Sequence, residues 1–162
     1  MQRVLVLIRH AKALKETLTI TDFDRPLAEK GMEDAIKVGS ILRKNNIIPN
    51  LIIASSAKRT EQTAKLIAAS NGYKNEDIIL KEKLYQSDTA LYCDIIGELP
   101  TEKKIVFIIG HNPGITDFIN QLDAKFRIDN MPTCGFVAVK ISSDNWGQFS
   151  LANNKVFLFQ QP

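Results

Sequence analysis

Val4-Leu5-Val6-Leu7-Ile8-Arg9-His10 is the stretch on which the fold turns. Five consecutive apolar residues, three of them β-branched, have no polar alternation. They suit a strand covered on both faces, as in a parallel sheet sandwiched between helices. Ile105-Val106-Phe107-Ile108-Ile109 repeats the pattern and is the strongest strand signal in the chain. Leu51–Ala54 and Ile78–Leu80 are shorter versions. Between these runs lie segments of helical period. Gly31 to Asn45 carries Ala35, Val38 and Leu42 on one stripe, and Lys58 to Ser70 carries Ala64, Ile67 and Ala68. Thr89 to Leu99 ends at Pro100, and Pro113 to about Leu122 forms a fourth segment. Asn71-Gly72 closes the second helix well, because both residues tolerate a left-handed backbone. Beyond Met131 the character changes, and Phe136–Ile141, Gln148–Leu151 and Val156–Phe159 read as strands joined by short polar turns. The alternation predicts an α/β fold, a three-layer sandwich with a mostly parallel central sheet and antiparallel edge strands.

With 162 residues, a single domain over 1–162 is expected, large enough to hold a core without disulfides or metals. Hydrophobic residues at 44% and charged residues at 24% are ordinary for a globular protein and exclude a disordered chain. A formal net charge of +3 is too mild to argue for a nucleic-acid partner. The apolar run stopped by Arg9 is shorter than the roughly 7–15 residues of a signal-peptide core or the roughly 20 of a membrane helix. A cytoplasmic protein with no membrane partner is therefore expected, and a monomer is the expected assembly. Cys93 and Cys134 form no C-x-x-C pair, and two histidines supply no zinc spacing, so free thiols and no metal are expected.

In open α/β sheets the ligand site lies beyond the carboxyl ends of the strands. After the first strand stand Arg9-His10, after the second Ser55-Ser56-Ala57-Lys58-Arg59, and after the Ile105–Ile109 strand Gly110-His111-Asn112-Pro113-Gly114. Each residue has a plain structural reading. A lone histidine at a strand end is more often a hydrogen-bonded structural residue, and a lone arginine pairs with a surface carboxylate. Asn112-Pro113 reads as a helix cap with proline at the first helical position, and Ser55 or Ser56 as the cap of the next helix. All of these readings would have to hold together at one edge of one sheet. Helix N-termini attract anions, and arginine forks match phosphate oxygens in bidentate fashion. A neutral imidazole among them supplies a nucleophile. The rim reads as a phosphate site with a nucleophile in it.

Other phosphate chemistries fit poorly. A cysteine phosphatase needs arginine six residues after its cysteine, where this chain has Leu99 and Lys140. The nucleotide-binding patterns G-x-x-x-x-G-K-[ST] and G-x-G-x-x-G do not occur, nor does G-x-S-x-G. Asp22-Phe23-Asp24 matches the D-x-D of aspartyl phosphotransferases weakly, because Pro26 stands where Thr or Val belongs.

Leu7-Ile8-Arg9-His10-Ala11-Lys12-Ala13 resembles the Arg-His signature that opens the histidine phosphatase superfamily, in the version found in SixA-type phosphohistidine phosphatases. Further similarities follow in order along the chain. They are Asp24-Arg25-Pro26-Leu27 with Lys30-Gly31, Ser55-Ser56 with Arg59-Thr60 and Gln62-Thr63-Ala64, Leu84-Tyr85, and Gly110 to Gly114. Met131-Pro132-Thr133 and Trp146 stand where that family has its C-terminal strands. The resemblance implies His10 as phosphoryl-accepting nucleophile, with Arg9, Arg59 and His111 holding phosphoryl oxygens. Arg25 and Asn112 are added as expected phosphate contacts, although Arg25 can equally pair with Asp22.

Larger members of that superfamily carry an acidic proton donor in an insertion after the third strand. Here Ile78 to Leu84 runs directly towards the next helix, and Glu82, between Lys81 and Lys83, is the nearest acidic candidate. An alkoxide leaving group needs a proton, whereas phosphohistidine leaves as an imidazole. The expected activity is thus a metal-independent, cofactor-free phosphohistidine phosphatase with a phospho-His10 intermediate. Its expected partner is a phosphohistidine-bearing protein, a phosphotransfer domain or phosphocarrier, in signal transduction or metabolism. A phosphatase for small phosphate esters, or a non-catalytic phospho-ligand module, are the alternatives. Because charge neutralisation is assigned to Arg9, Arg59, His111 and helix termini, turnover is expected to persist in excess chelator. Abolition by EDTA with rescue by Mg²⁺ would instead restore the Asp22/Asp24 reading.

Overall fold

The structure is a computed structural model describing residues 2–162. Ten main elements follow one another: β1 (Arg3–Arg9), α1 (Glu29–Lys44), β2 (Leu51–Ser55), α2 (Lys58–Ser70), β3 (Ile79–Lys81), α3 (Thr89–Gly97), β4 (Ile105–Gly110), α4 (Gly114–Leu122), β5 (Phe136–Ile141) and β6 (Lys155–Gln160). The strands form one sheet in the order β3-β2-β4-β1-β5-β6. β3, β2, β4 and β1 are mutually parallel, and β5 and β6 each run antiparallel to the neighbour before them. This is the α/β sandwich that the apolar runs imply.

The period-2 alternation of β1 sends its side chains into two separate cores. Leu5 and Leu7 join Val106, Ile108 and Val137 beneath α3 and α4, whereas Val6 and Ile8 join Ile52, Phe107 and Ala138 beneath α1 and α2. Burying one such aliphatic side chain contributes about 1.5–3 kcal/mol, so both faces hold the strand in place. β1 and β4 lie side by side, but the helices that follow them, α1 and α4, cover opposite faces. Their carboxyl ends therefore open onto a crevice of the kind that binds ligands in parallel sheets.

The structure corrects the expected C-terminal strand at Gln148–Leu151. Trp146–Gln148 is a short 3₁₀ turn instead, with Asn145 Oδ1 accepting the Gly147 N–H at 2.9 Å. The fully buried Trp146 drives this path by donating its indole N–H to Lys103 O at 2.6 Å. β5 is already paired on both sides, by β1 and β6, so Phe149 and Leu151 pack on the core without joining the sheet. Asn112-Pro113 does not act as a side-chain cap with proline in the first turn either. α4 starts at Gly114, and Pro113 precedes it without a side-chain cap bond. Cys93 and Cys134 are free thiols. Among the described residues no helix is long and apolar enough to cross a membrane.

The long loop after β1 is pinned to the start of α1. Ala28 N–H donates to Lys12 O at 2.9 Å, and a Cβ added at Gly31 would stand 2.1 Å from that same oxygen. Helix propensity alone says that Gly31→Ala stabilises by about 1 kcal/mol. The close approach reverses the sign. Gly31→Ala is expected to destabilise by about 1–3 kcal/mol, the usual cost of overpacking, as read from a urea midpoint. An unchanged or raised midpoint would show that the loop yields freely.

Candidate active site

The last register pair of β1 and β4 is Arg9 with Gly110, so the next residue of each strand, His10 and His111, leaves the sheet beside the other. His10 N–H donates to Gly110 O at 3.1 Å, and the two imidazole centroids are 5.2 Å apart. Arg59 reaches the same place from the first turn of α2. That turn is tied to the β1 loop through Thr63, whose hydroxyl donates to Arg59 O at 2.7 Å and accepts Ala11 N–H at 3.0 Å. His10, Arg59 and His111 are 8%, 5% and 5% exposed, buried yet facing a cavity of about 740 Å³. Arg9, Arg25, Asn112, Asp22 and Tyr85 line the same cavity. All six residues singled out in the sequence are thus brought together.

The hydrogen bonds of His10 define its chemistry. Its Nδ1 lies 2.8 Å from Ala11 O. A carbonyl can only accept, so Nδ1 carries the proton and Nε2 keeps its lone pair. Arg59 Nε–H donates to that lone pair at 3.3 Å. Burial first, and then the charges of Arg59, Arg9 and Arg25, push the His10 pKa from 6.5 down to about 4, against the opposing bond to Ala11. His111 Nε2 is hydrogen-bonded to Ser55 Oγ at 2.8 Å. Its pKa falls to about 3 through burial, followed by the neighbouring His10 and Arg59. Both rings are neutral at physiological pH.

Main-chain carbonyls hold much of the positive charge. Arg9 Nη1 donates to Met131 O at 2.8 Å, while its buried Nε–H has no protein partner. Burial and the nearby Arg59 lower the Arg9 pKa. Arg25 donates through Nε to Asp22 Oδ1 at 3.0 Å and through Nη1 to Leu14 O at 3.0 Å, so it lines the cavity as the partner of Asp22. The expected phosphate contact of Asn112 does not fit this geometry. Its Nδ2 donates to Asn130 Oδ1 at 2.6 Å and Met131 O at 3.0 Å, and its Oδ1 accepts from Thr116 Oγ1 at 2.6 Å. With its donors spent, the side chain organises the loop that carries Met131. Glu82 is exposed on a neighbouring surface beside Lys83 and does not line the cavity.

Three residues belong to the site for which sequence reasoning gave a different part or none. Ser55, read as a helix cap, accepts the N–H of Ala57 just before α2 at 3.3 Å and is also hydrogen-bonded to His111 Nε2. Tyr85 sits edge-on to His111, with centroids 5.3 Å apart, and Arg59 lies over its ring. Asp22 accepts from the Tyr85 hydroxyl and from Arg25 and Arg59. The Tyr85 bond first, then the arginines, hold the Asp22 pKa down to about 2, and the same bond raises that of Tyr85. Ser55 and Tyr85 stood within the motifs that carried the resemblance, and Asp22 in the D-x-D pair. Among the described residues no group of three His, Cys, Asp or Glu side chains is placed to hold a metal ion.

Arginine forks, an unpartnered buried N–H and a neutral imidazole with a lone pair facing a cavity suit binding a tetrahedral oxyanion and attacking its centre. The model of the histidine phosphatase superfamily (branch 1) matches residues 5–90, more than half of the chain. The chain belongs to the histidine phosphatase superfamily, and its activity class is that of a phosphatase. An uncharacterised chloroplast protein of Arabidopsis thaliana is 29% identical over 152 residues, covering 89% of this chain and 69% of that protein. A structure from Agrobacterium tumefaciens, assigned as the phosphohistidine phosphatase SixA, superposes with a TM-score of 0.83 at 24% identity, over 100% of this chain and 99% of that one. The protein histidine phosphatase SixA complexed with tungstate gives 0.81 at 17% identity, over 98% and 96%. These structures share the fold.

The depressed pKa values give a test with a definite sign. Between about pH 6.5 and pH 4 the unfolded chain takes up a proton at position 10 that the native state refuses, so stability falls as pH falls through that window. Nitrogen-detected NMR is expected to show a neutral His10 in its Nδ1–H form down to about pH 4. A midpoint near 6.5, or the Nε2–H form, would contradict the geometry.

Proposed function

We propose that this protein hydrolyses phosphohistidine carried on another protein, through a phospho-His10 intermediate. The observation that carries the reading is the Nδ1–H bond to Ala11 O, which leaves His10 Nε2 as a lone pair facing an arginine-lined cavity. In the first step that lone pair attacks phosphorus, and the P–N bond to the substrate imidazole breaks. The electron pair stays on the departing ring, which leaves as neutral imidazole when its other nitrogen is protonated. Water then attacks phospho-His10, the electron pair of the breaking bond returns to Nε2, and the water proton passes to solvent. Arg9 and Arg59, with His111, hold the phosphoryl oxygens and stabilise the charge spread over them. Arg25 adds positive potential from its place on Asp22. Residues 1–162 act as one phosphatase domain, working as a monomer in the cytoplasm.

The substrate class rests on proton supply. Two carboxylates, Asp22 and Asp88, line the cavity, and both are already engaged as acceptors. Asp22 is held ionised by Tyr85 and two arginines, and Asp88 Oδ1 accepts Leu91 N–H as the cap of α3. Asp22 is thereby unsuited to deliver a proton to an alkoxide and Asp88 is committed through Oδ1 to capping α3, whereas a departing imidazole needs no such help. The loop from β3 to α3 adds only the short 3₁₀ turn Glu82–Gln86, so there is room for a phosphohistidine on the surface of a folded carrier. The names of the SixA structures agree with this class of substrate.

Competition in one reaction tests the reading. A phosphohistidine protein and a sugar phosphate are mixed with the enzyme, and aliquots are quenched in denaturant. The phosphohistidine protein is expected to win by orders of magnitude in kcat/KM, and any trapped phosphoprotein is expected to be acid-labile, alkali-stable and lost in His10→Ala. Preference for the sugar phosphate would refute the substrate class, and a fully active His10→Ala enzyme would refute the mechanism.

A further inference from the structure

Asp22 comes from the one motif that the mechanism above leaves without a part, and its side chain stands at the centre of the site. Its carbonyl accepts Arg59 Nη1–H at 2.6 Å, and its Oδ2 accepts Arg59 Nη2–H at 3.1 Å and the Tyr85 hydroxyl. Its Oδ1 takes Arg25 through Nε at 3.0 Å and Nη2 at 2.8 Å. One residue, through main chain and side chain together, thus fixes both terminal nitrogens of the guanidinium whose Nε–H lies on His10 Nε2. The strap bearing it is anchored next to that arginine, because Phe23 O accepts Lys58 N–H at 3.0 Å and the Phe23 ring meets Tyr85 edge-on at 5.0 Å. Asp24 faces elsewhere, accepting from Thr21 Oγ1 at 2.8 Å.

We propose that Asp22 is a positioning residue that also acts as an internal counter-charge, gripping the Arg59 and Arg25 donors which a phosphoryl group entering the cavity must share. The inference rests on the reading of this cavity as a phosphoryl site. It has two consequences of opposite sign. Holding the Arg59 fork fixes the direction of Nε–H relative to the nucleophile, which favours the reaction, since a misplacement of about 1 Å near a reacting centre costs on the order of 10²-fold. The carboxylate charge meanwhile competes with the incoming anion for the same arginines, which weakens binding. Removing the charge therefore slows turnover and tightens the anion. A residue that served only to hold the fold would lower the fraction of active enzyme without producing that split.

Asp22→Asn keeps the shape of the side chain and the main-chain bond to Arg59 while removing the charge. Turnover is followed on an activated aryl phosphate, orthophosphate binding by calorimetry, and folding by a thermal midpoint. The variant is expected to lose about 10- to 100-fold in kcat, in line with loss of a positioning contact. Its orthophosphate Kd is expected to fall by about three- to tenfold, because a partly exposed opposing charge is removed from the arginines. Tyr85→Phe, which leaves the carboxylate charged, is expected to give no such tightening. A folded Asp22→Asn enzyme whose orthophosphate binding is unchanged or weaker overturns the proposal, as does an unchanged kcat. Should that variant fail to fold, Asp22→Glu keeps the charge and displaces it by one methylene. It is then expected to lose kcat with unchanged orthophosphate binding, and an unimpaired kcat overturns the proposal. A wild-type protein that binds orthophosphate but turns over no substrate refutes the phosphatase reading alone, leaving the binding comparison to decide the part of Asp22. Wild-type protein that binds no orthophosphate overturns both.

Discussion

The register of β1 against β4 is the constraint from which the site follows. Arg9 is paired with Gly110, and the ladder continues one step further as His10 N–H meets Gly110 O, so the two imidazoles emerge together. Side chains alternate along a strand, so a slip of one residue would turn Leu5 and Leu7 into the layer of Val6 and Ile8 and aim His10 away from the cavity. Burial on both faces forbids that slip: Leu5, Val6, Leu7, Ile8 and Val106 to Ile109 are all fully buried. The free energy that places His10 at the rim comes from aliphatic packing, far larger in sum than any single bond within the site.

Around this pair the protein gathers three guanidinium groups and keeps them ordered. Burial disfavours each charged form, and like charges at close range repel in addition, which is why both histidines remain neutral and Arg9 has a lowered pKa. The arginines are held largely by carbonyl oxygens of Met131, Leu14 and Asp22, partners that orient a guanidinium without cancelling its charge. Asp22 supplies the carboxylate, spread over two arginines and a tyrosine. The result is a cavity that is preorganised and still positive, as required for a phosphoryl dianion.

The loops that complete the site are fixed by polar contacts from residues in the same motifs. Thr63 joins the β1 loop to α2, and Gln62 Oε1 accepts Leu27 N–H at 2.8 Å, tying the strap before α1 to the same helix. Asn112 donates to the Met131 carbonyl and Thr116 Oγ1 accepts the Met131 N–H, so together they fix the residue whose carbonyl holds Arg9. Asn112 is therefore explained by support of the arginine rather than by contact with substrate. Motif residues in this chain divide into those that face the cavity and those that hold the facing residues still.

The sequence by itself determined the layers and the rim. Continuous apolar runs in β1, β2 and β4, and helical stripes between them, are local signals strong enough to survive folding. The residues that follow those runs, Arg9, His10 and His111 at the strand ends and Arg59 in the first turn of the next helix, had to fall on one edge of one sheet. Tertiary structure decided what no local pattern could carry. Gln148–Leu151 has the apolar content of a strand, but β6 already occupies the free edge of β5 and Trp146 pulls the chain into the core. Glu82 is the nearest acid in sequence and lies outside the cavity, whereas Asp22, far from Arg59 and Tyr85 along the chain, sits between them. Ser55 becomes the partner of His111 for the same reason. Burial pattern is written residue by residue in the chain, but a hydrogen-bond partner is chosen by whichever distant segment the packed core brings within 3 Å.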